Sequence, residues 1–210
     1  MQHVYQSFID GLRETSLLEY IGVLAGIVCV WLGKAENIFN YPLGILNTGI
    51  YVYLSLRGNL LGEASVNVFY TVMNVYGWVL WARRGSDRQP SLVITRSSGR
   101  DWAVALGFFF VCWFVLYVAL TYAKASFAPR AIPLADGFSA AAAYTGMWLL
   151  TRKKIENWIW WIITDIASIP LYFIKGYVFT SFQFLVFLVI AVLGLLEWIR
   201  KWKGSNTEYA

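Results

Sequence analysis

The sequence predicts an all-α membrane protein whose seven transmembrane helices form two parallel three-helix repeats around a linker helix. Three observations predict this class. Of the 210 residues, 59% are hydrophobic and only 14% are charged, which departs from the usage of soluble domains. The apolar residues fall into runs of about 18 to 22, a length that crosses a hydrocarbon core of roughly 30 Å. A set of motifs also recurs, in the same order, in the second half of the chain.

Seven apolar runs follow one another along the chain and define the predicted spans. Their approximate bounds are Leu17 to Gly33, Ile38 to Leu56, Leu60 to Ala82, Trp102 to Tyr122, Pro133 to Leu150, Asn157 to Ile174 and Val178 to Ile199. The polar stretch from Arg83 to Arg100 has the glycine, proline and serine content of a loop. We therefore expect a single transmembrane domain over residues 1–210, with repeats at 17–82 and 133–199 and a linker helix at 102–122.

Basic residues are distributed unequally between the two sides that seven spans create. One side receives Lys34, Arg83, Arg84, Arg88, Arg96, Arg100, Arg152, Lys153, Lys154, Arg200, Lys201 and Lys203. The other side receives Arg13, Arg57, Lys124, Arg130 and Lys175. Cytoplasmic loops carry the excess of Lys and Arg, so the sequence predicts an outside N-terminus and a cytoplasmic C-terminus. The net charge of +5 thus reflects topology, and nucleic-acid binding is not expected.

Spans one to three and spans five to seven carry the same motifs in the same order. The first set is Trp31, Glu36-Asn37, Arg57-Gly58 and Gly77 with Trp81; the second is Trp148, Glu156-Asn157, Lys175-Gly176 and Gly194 with Trp198. Four spans separate the copies, so both have the same orientation. This predicts a 3+1+3 plan, in which transporters commonly bind substrate between the repeats near mid-membrane. Pro42 and Pro170 are expected bending points, because each lacks a backbone donor.

One carboxylate, Asp165, lies in the middle of the sixth span, where a charge persists only beside a cavity, a partner or a ligand. At helical spacing Trp161, Asp165, Ser168 and Tyr172 share one face of this helix. Trp160 and Trp161 lie deeper than the aromatic belt at the headgroups requires, which favours stacking on a ligand. The alternative for Asp165 is a packing role as a protonated acid, and the alternative for the tryptophans is a place in the aromatic belt at the headgroups.

Amides on the second and third spans would complete such a site. Asn67, Tyr70 and Asn74 share one face of the third span, and Asn47 lies in the second. Polar side chains also hydrogen-bond between membrane helices, so packing and ligand binding both remain open for these amides. Together the groups suit a flat, cationic, hydroxylated molecule, because aromatic planes and a carboxylate attract a cation and amides bond carboxamide or hydroxyl groups.

Other classes of membrane protein need residues that this sequence lacks. A retinal Schiff base requires a lysine within the last span, and Val178 to Ile199 contains none. The single histidine is His3 and no HExxH motif occurs, so neither an enzyme nor a metal site is expected. Cys29 and Cys112 have no CxxC or Cys/His spacing and are interpreted as apolar packing residues. No cofactor is expected.

Four segments resemble a known family. They are NVFYTVMNVYGWVLW in the third span, KIENWIWWIITDIASIPLYFIKG in the sixth, FTSFQFLVF leading into the seventh, and ITR after the third. Through them, and over about Leu17 to Lys201, the chain resembles the PnuC family of bacterial vitamin transporters. The resemblance implies a seven-helix fold akin to the sugar-transporting SWEET proteins, a homotrimer surrounded by membrane lipids, and facilitated diffusion of nicotinamide riboside through the bacterial inner membrane. Phosphorylation of the vitamin in the cytoplasm would follow, for NAD synthesis.

The resemblance also assigns roles to individual residues. The family's substrate-stacking pair falls on Trp160 and Trp161, and its polar partner one turn on falls on Asp165. Many nicotinamide riboside carriers have Asn at the position of Asp165 and Gln at that of Asn67, and other branches carry thiamine or riboflavin. A thiamine or riboflavin carrier is therefore the alternative. The expected substrate-binding residues are Trp160, Trp161, Asp165, Asn67, Asn74, Asn47 and Tyr70.

Overall fold

The fold is described by a computed structural model that covers residues 16–57, 61–84, 91–124 and 131–207. The described residues form seven helices: α1 (Leu17–Lys34), α2 (Asn40–Arg57), α3 (Leu61–Ala82), α4 (Gly99–Ala123), α5 (Pro133–Thr151), α6 (Asn157–Ile174) and α7 (Val178–Thr207). The predicted all-helical fold is confirmed. The bounds of α6 are those predicted, whereas α7 continues beyond the predicted end at Ile199.

Three helices within the described ranges are long and apolar enough to cross a membrane, namely α1, α4 and Val178–Gly204 of α7. The other four are 18 to 22 residues long, about 27 to 33 Å at 1.5 Å per residue. Their lower hydropathy reflects their position, since α5 is the most buried helix and its small and polar side chains face protein. By contrast, α4 exposes Phe110 and Phe114 and buries little.

Sequence neighbours pack side by side, and two further contacts close the bundle. Helices α1, α2 and α3 pack in order, as do α5, α6 and α7, and α4 packs on α5. In addition α1 contacts α7, and α3 contacts α5. The first helix of each predicted repeat therefore touches the third helix of the other.

The helix bounds recur at a single spacing. Glu36 and Lys153 are 117 positions apart, and the same spacing separates the first residues of α2 and α6 and those of α3 and α7. Glu36 and Lys153 also share a left-handed backbone, with φ values of 63° and 53°. Few residues other than glycine adopt this conformation, so its occurrence at both positions marks equivalent turns after α1 and α5.

Hydrogen bonds at the starts of α2 and α6 follow the same spacing. The Asn40 amide donates to the Asn37 carbonyl at 2.7 Å, and the Asn157 amide donates to the Lys154 carbonyl at 2.6 Å. Asn157 thus corresponds to Asn40. The motif alignment that paired Glu36-Asn37 with Glu156-Asn157 is therefore wrong by three positions. The residue of the second half that shares the left-handed backbone of Glu36 is Lys153, not Glu156.

The two prolines differ in their effect. Pro170 lies inside α6, where it removes a helical hydrogen bond and remains an expected bending point. Pro42 lies in the first turn of α2, where its missing donor would have no intrahelical partner in any case. The expectation of a bend at Pro42 is therefore wrong.

Two glycines admit aromatic rings between neighbouring helices. A Cβ at Gly77 on α3 would overlap the ring of Tyr41 on α2, and a Cβ at Gly194 on α7 would lie 2.7 Å from two indole carbons of Trp158 on α6. Both aromatic side chains are fully buried. Close helix approach at small residues is the main source of packing energy in membrane bundles, so these contacts fix α2 against α3 and α6 against α7.

Replacing Gly194 with alanine should destabilise the bundle. The added methyl group has no room beside Trp158, and overpacking of this kind costs about 1 to 3 kcal/mol. The midpoint of thermal unfolding in detergent, followed by circular dichroism, should therefore fall. Gly107→Ala on α4 is the matched control, because nothing lies within 4 Å of its added Cβ. Equal midpoints for the two variants would contradict the packing assigned to Gly194.

Candidate functional site

The polar face of α6 points into the bundle. Asp165 and Ser168 are 2% and 1% exposed, whereas Ile166 and Ile174 on other faces are 58% and 74% exposed. Pro170 does not interrupt α6, which is continuous from Asn157 to Ile174, so these residues keep their helical positions. The carboxylate predicted for mid-membrane therefore faces protein and not acyl chains.

A tyrosine hydroxyl group from another helix lies near Asp165. The phenol of Tyr70 on α3 interacts electrostatically with Asp165, with Tyr144 on α5 and with Tyr172 on α6. The rings of Tyr70 and Tyr144 meet edge to face, with centroids 5.7 Å apart. Asn67, one turn before Tyr70, is partly buried. The structure thus brings Tyr70 of α3 within electrostatic range of Asp165 on α6, and α5 contacts both of these helices.

No hydrogen bond or ion pair from the described residues reaches the carboxylate of Asp165. A carboxyl group that is nearly fully buried loses its hydration, and the loss is offset only by hydrogen bonds or a nearby cation. The hydroxyl of Tyr70 would donate to a bound molecule as readily as to the acid. The arrangement therefore suits a ligand that carries a positive charge and hydroxyl or amide groups.

Two residues of α5 belong to this site and were missed by the sequence analysis. Ser139 Oγ lies 2.6 Å from Ser168 Oγ, and the ring of Tyr144 lies 4.2 Å from that of Phe69. The signal for them is the run of four alanines between Ser139 and Tyr144. Small side chains permit close approach of membrane helices and so indicate that the flanking polar groups are interior.

The two tryptophans of the expected stacking pair lie on different faces of α6. Trp160 is buried against α4, where its ring centroid is 5.0 Å from that of Phe109. Its indole nitrogen has no hydrogen-bond partner among the described residues. Trp161 is partly buried and packs at the edge of the aromatic cluster around Trp158. Only Trp161 therefore shares the face that carries Asp165.

Gly146 of α5 sits between the two tryptophans. A Cβ at this position would lie 3.3 Å from Trp160 Cβ and 3.3 Å from Trp161 Cε2. Both contacts are tighter than ordinary van der Waals packing, so the absence of a side chain at Gly146 lets α6 approach α5 with one indole on either side. Trp160 and Trp161 therefore both pack against α5 at Gly146.

Asn47 and Asn74 make contacts with neighbouring helices. The Asn47 amide donates to the Gly22 carbonyl of α1 at 2.7 Å. Asn74 is buried against α2, where a Cβ at Gly44 would overlap its amide. Both contacts are of the interhelical kind that polar residues often make in membrane bundles. The structure gives these two amides packing roles, and their direct contact with a ligand stays a prediction.

Asn47→Ala should lower stability through the lost bond to α1. Removing one interhelical hydrogen bond costs about 1 kcal/mol, and the freed Gly22 carbonyl stays inside the bundle. Thermal unfolding in detergent should report a lower midpoint. Thr121→Ala is a matched control, because the Thr121 hydroxyl bonds only to the Tyr117 carbonyl within its own exposed helix turn. An Asn47→Ala midpoint no lower than that of the control would contradict the tie to α1.

Comparisons with known proteins agree on one family. A family profile described as "Nicotinamide mononucleotide transporter" matches residues 16–200. The nicotinamide riboside transporter PnuC of Escherichia coli (strain K12) is 27% identical over 206 residues, which cover 89% of this chain and 86% of that protein. The riboflavin/roseoflavin transporter RibM of Streptomyces davaonensis is 24% identical over 196 residues, which cover 90% and 86%.

A solved structure has the same fold. The crystal structure of the vitamin B3 transporter PnuC superposes with a TM-score of 0.71 at 19% sequence identity. The superposition covers 94% of this chain and 87% of that one. The helical architecture is therefore shared over nearly the whole chain.

Proposed function

This chain belongs to the nicotinamide mononucleotide transporter family and is a multi-pass membrane transporter, and from that premise we propose that its substrate is nicotinamide riboside. Family membership also confirms the expectation that the protein is a transporter and not an enzyme. The observation that carries the choice of substrate is Asp165, a buried carboxylate that has no partner among the described residues, that interacts with Tyr70 and that lies one helical turn from Trp161.

The chemistry of nicotinamide riboside complements this site. Its pyridinium ring carries a fixed positive charge, which supplies the partner that Asp165 lacks. The flat ring can stack on Trp161, one turn from the acid. The hydroxyls of Tyr70, Tyr144 and Ser168 can bond the ribose and the carboxamide. Trp160, which packs against Phe109, would support the pocket from behind.

Thiamine and riboflavin are the alternatives within the family. Thiamine shares the cationic aromatic ring, so Asp165 and Trp161 would accept it too. Riboflavin is the cargo in the name of the relative RibM, but its neutral ring would leave the charge of Asp165 without a partner. The site therefore favours a cationic vitamin.

Alternating access would arise from movement of the two three-helix units about this site. The recurrence of helix bounds at a spacing of 117 and the reciprocal contacts of α1 with α7 and of α3 with α5 support a 3+1+3 plan of parallel repeats. Tyr70 lies on α3, which contacts α5 across the boundary between the units, and it interacts electrostatically with Asp165 on α6. Pro170, one turn beyond Asp165, gives α6 a point at which to bend.

The remaining parts of the proposal concern topology, assembly and energy source. Most basic residues lie at the ends of α1, α3, α5 and α7, which supports a cytoplasmic C-terminus and an outside N-terminus. No group of His, Cys, Asp or Glu in the described ranges is suited to hold a metal ion. Facilitated diffusion and a homotrimer in the lipid bilayer are proposed from the resemblance to the PnuC family.

Asp165→Ala and Trp161→Ala should each weaken binding of nicotinamide riboside about tenfold or more, because a charge-assisted contact or a stacking contact is worth about 1 to 3 kcal/mol. Isothermal titration calorimetry on purified protein measures the effect. Thiamine and riboflavin, titrated in parallel, decide between the candidate vitamins.

Trp31→Ala is the control for this experiment, since Trp31 is half exposed on α1 and contacts Lys34 instead of the site. Its affinity should match that of the unmodified protein. Full affinity in Asp165→Ala would contradict the role assigned to this carboxylate, and tighter binding of riboflavin than of both cations would overturn the choice of substrate.

Uptake into liposomes should proceed without an ion gradient. A facilitator equilibrates its substrate, so labelled nicotinamide riboside should reach the same internal and external concentration, and a protonophore should leave the initial rate unchanged. Protein-free liposomes give the leak rate. Accumulation above the external concentration that disappears with the protonophore would instead show coupling to protons.

A further inference from the structure

Equivalent residues of the two predicted repeats meet at one end of the bundle. Glu36 follows α1 and Lys153 follows α5, at the recurring spacing of 117. The Lys153 ammonium lies 2.7 Å from a Glu36 carboxylate oxygen. Their left-handed backbones turn both chains at the same point, so the two side chains approach one another. Each repeat thus supplies one partner of a single ion pair.

Further partners of this pair also come from the opposite repeat. The Lys153 ammonium lies 4.6 Å from the centroid of the Trp81 ring on α3. Lys201 on α7 lies 3.5 Å from the other Glu36 oxygen and donates to the Ala35 carbonyl at 3.0 Å. Both charges are therefore held by residues of the opposite repeat. Glu36 contacts Lys153 and Lys201. Lys153 contacts Glu36 and the face of the Trp81 ring.

A second equivalent pair closes the same end. The rings of Trp81 and Trp198, at the ends of α3 and α7, have centroids 6.3 Å apart. The Trp198 indole also donates to the Lys34 carbonyl at the end of α1, at 3.1 Å. Both tryptophans are buried. Any movement that separates the repeats at this end must break these contacts together with the ion pair.

We propose that the Glu36–Lys153 pair is the latch of the gate at this end of the transporter. It holds the two repeats together while the site is closed to this side, and it separates when the site opens to this side. The ion pair can break and form again, because the side chains of Lys153 and Glu36 are 8% and 24% exposed and water can hydrate both charges once they separate. Its opposite charges favour the closed state, and a change in them shifts the population.

This inference rests on the proposed transport cycle and on the proposed topology, in which the latch lies at the cytoplasmic end. A neighbouring ion pair provides a matched control. Lys154 and Asp101 lie 3.1 Å apart at the same end, but they join the corner after α5 to the start of α4 and not one repeat to the other. Lys154→Glu breaks this pair at the same corner and leaves the contacts between the repeats intact.

The test measures access to the centre of the protein from each side. Ser168→Cys, in a Cys29→Ala/Cys112→Ala background, places a single thiol beside Asp165. Its rate of reaction with a membrane-impermeant maleimide is measured in inside-out and right-side-out vesicles. Glu36→Lys should raise the rate in inside-out vesicles about tenfold, since the lost attraction is replaced by repulsion from two lysines. Glu36→Lys/Lys153→Glu should return the rate toward that of the parent, and Lys154→Glu should leave it unchanged.

A rate that is unchanged in Glu36→Lys, or one that stays high in the double variant, would show that the pair is a static tie and overturn the latch. A rise only in right-side-out vesicles would overturn its cytoplasmic placement. Should Glu36→Lys fail to fold, Glu36→Gln gives a weaker version of the same test, with a smaller rise expected. No vitamin is used, so failure of the protein to bind nicotinamide riboside would contradict the proposed substrate and not the latch.

Discussion

A carboxylate inside the bundle, to which the described residues supply no partner, is the constraint on which the rest of the structure depends. Asp165 cannot face lipid, because a charge at that depth costs several kcal/mol. The protein therefore has to surround it with groups that tolerate the acid without neutralising it. Tyrosines do so, since each has an apolar ring for the membrane interior and one hydroxyl for the ligand or the acid.

This demand explains the composition of α5. Ser139 reaches the polar face of α6 only if the two helices lie close together, and alanines together with Gly146 make that approach possible. Close approach in turn forces the bulky side chains of α6 to the flanks, where Trp160 meets Phe109 of α4. Helix α4 thus packs on the helix that carries Asp165 as well as on α5.

Much of the fold could be predicted from the sequence, because membrane thickness and end signals fix helix lengths locally. Ser98 and Asp101 form a capping box at the start of α4, and the polar linker ends there. The inward face of α6 also followed from its periodicity. The different surroundings of Trp160 and Trp161 could not be predicted in this way. Neighbouring helical positions point about 100° apart, and only the tertiary contacts show which residues each side chain meets. Asn47 was left undecided for the same reason, since its acceptor lies on another helix.

Comparing positions 117 apart shows which contacts the two halves have in common and where they differ. At the spacing of 117, Gly77 with its ring partner on α2 matches Gly194 with its ring partner on α6, so the two helix contacts are built alike. The position of Asp165 is occupied in the first half by Thr48, whose hydroxyl bonds within its own helix and to Thr71. Likewise the position of an acid after α1 is taken by a base after α5. The two halves therefore share these packing contacts but differ at the position of Asp165 and at the ion pair that joins them, and a scaffold with matching halves can in this way carry an asymmetric set of polar groups.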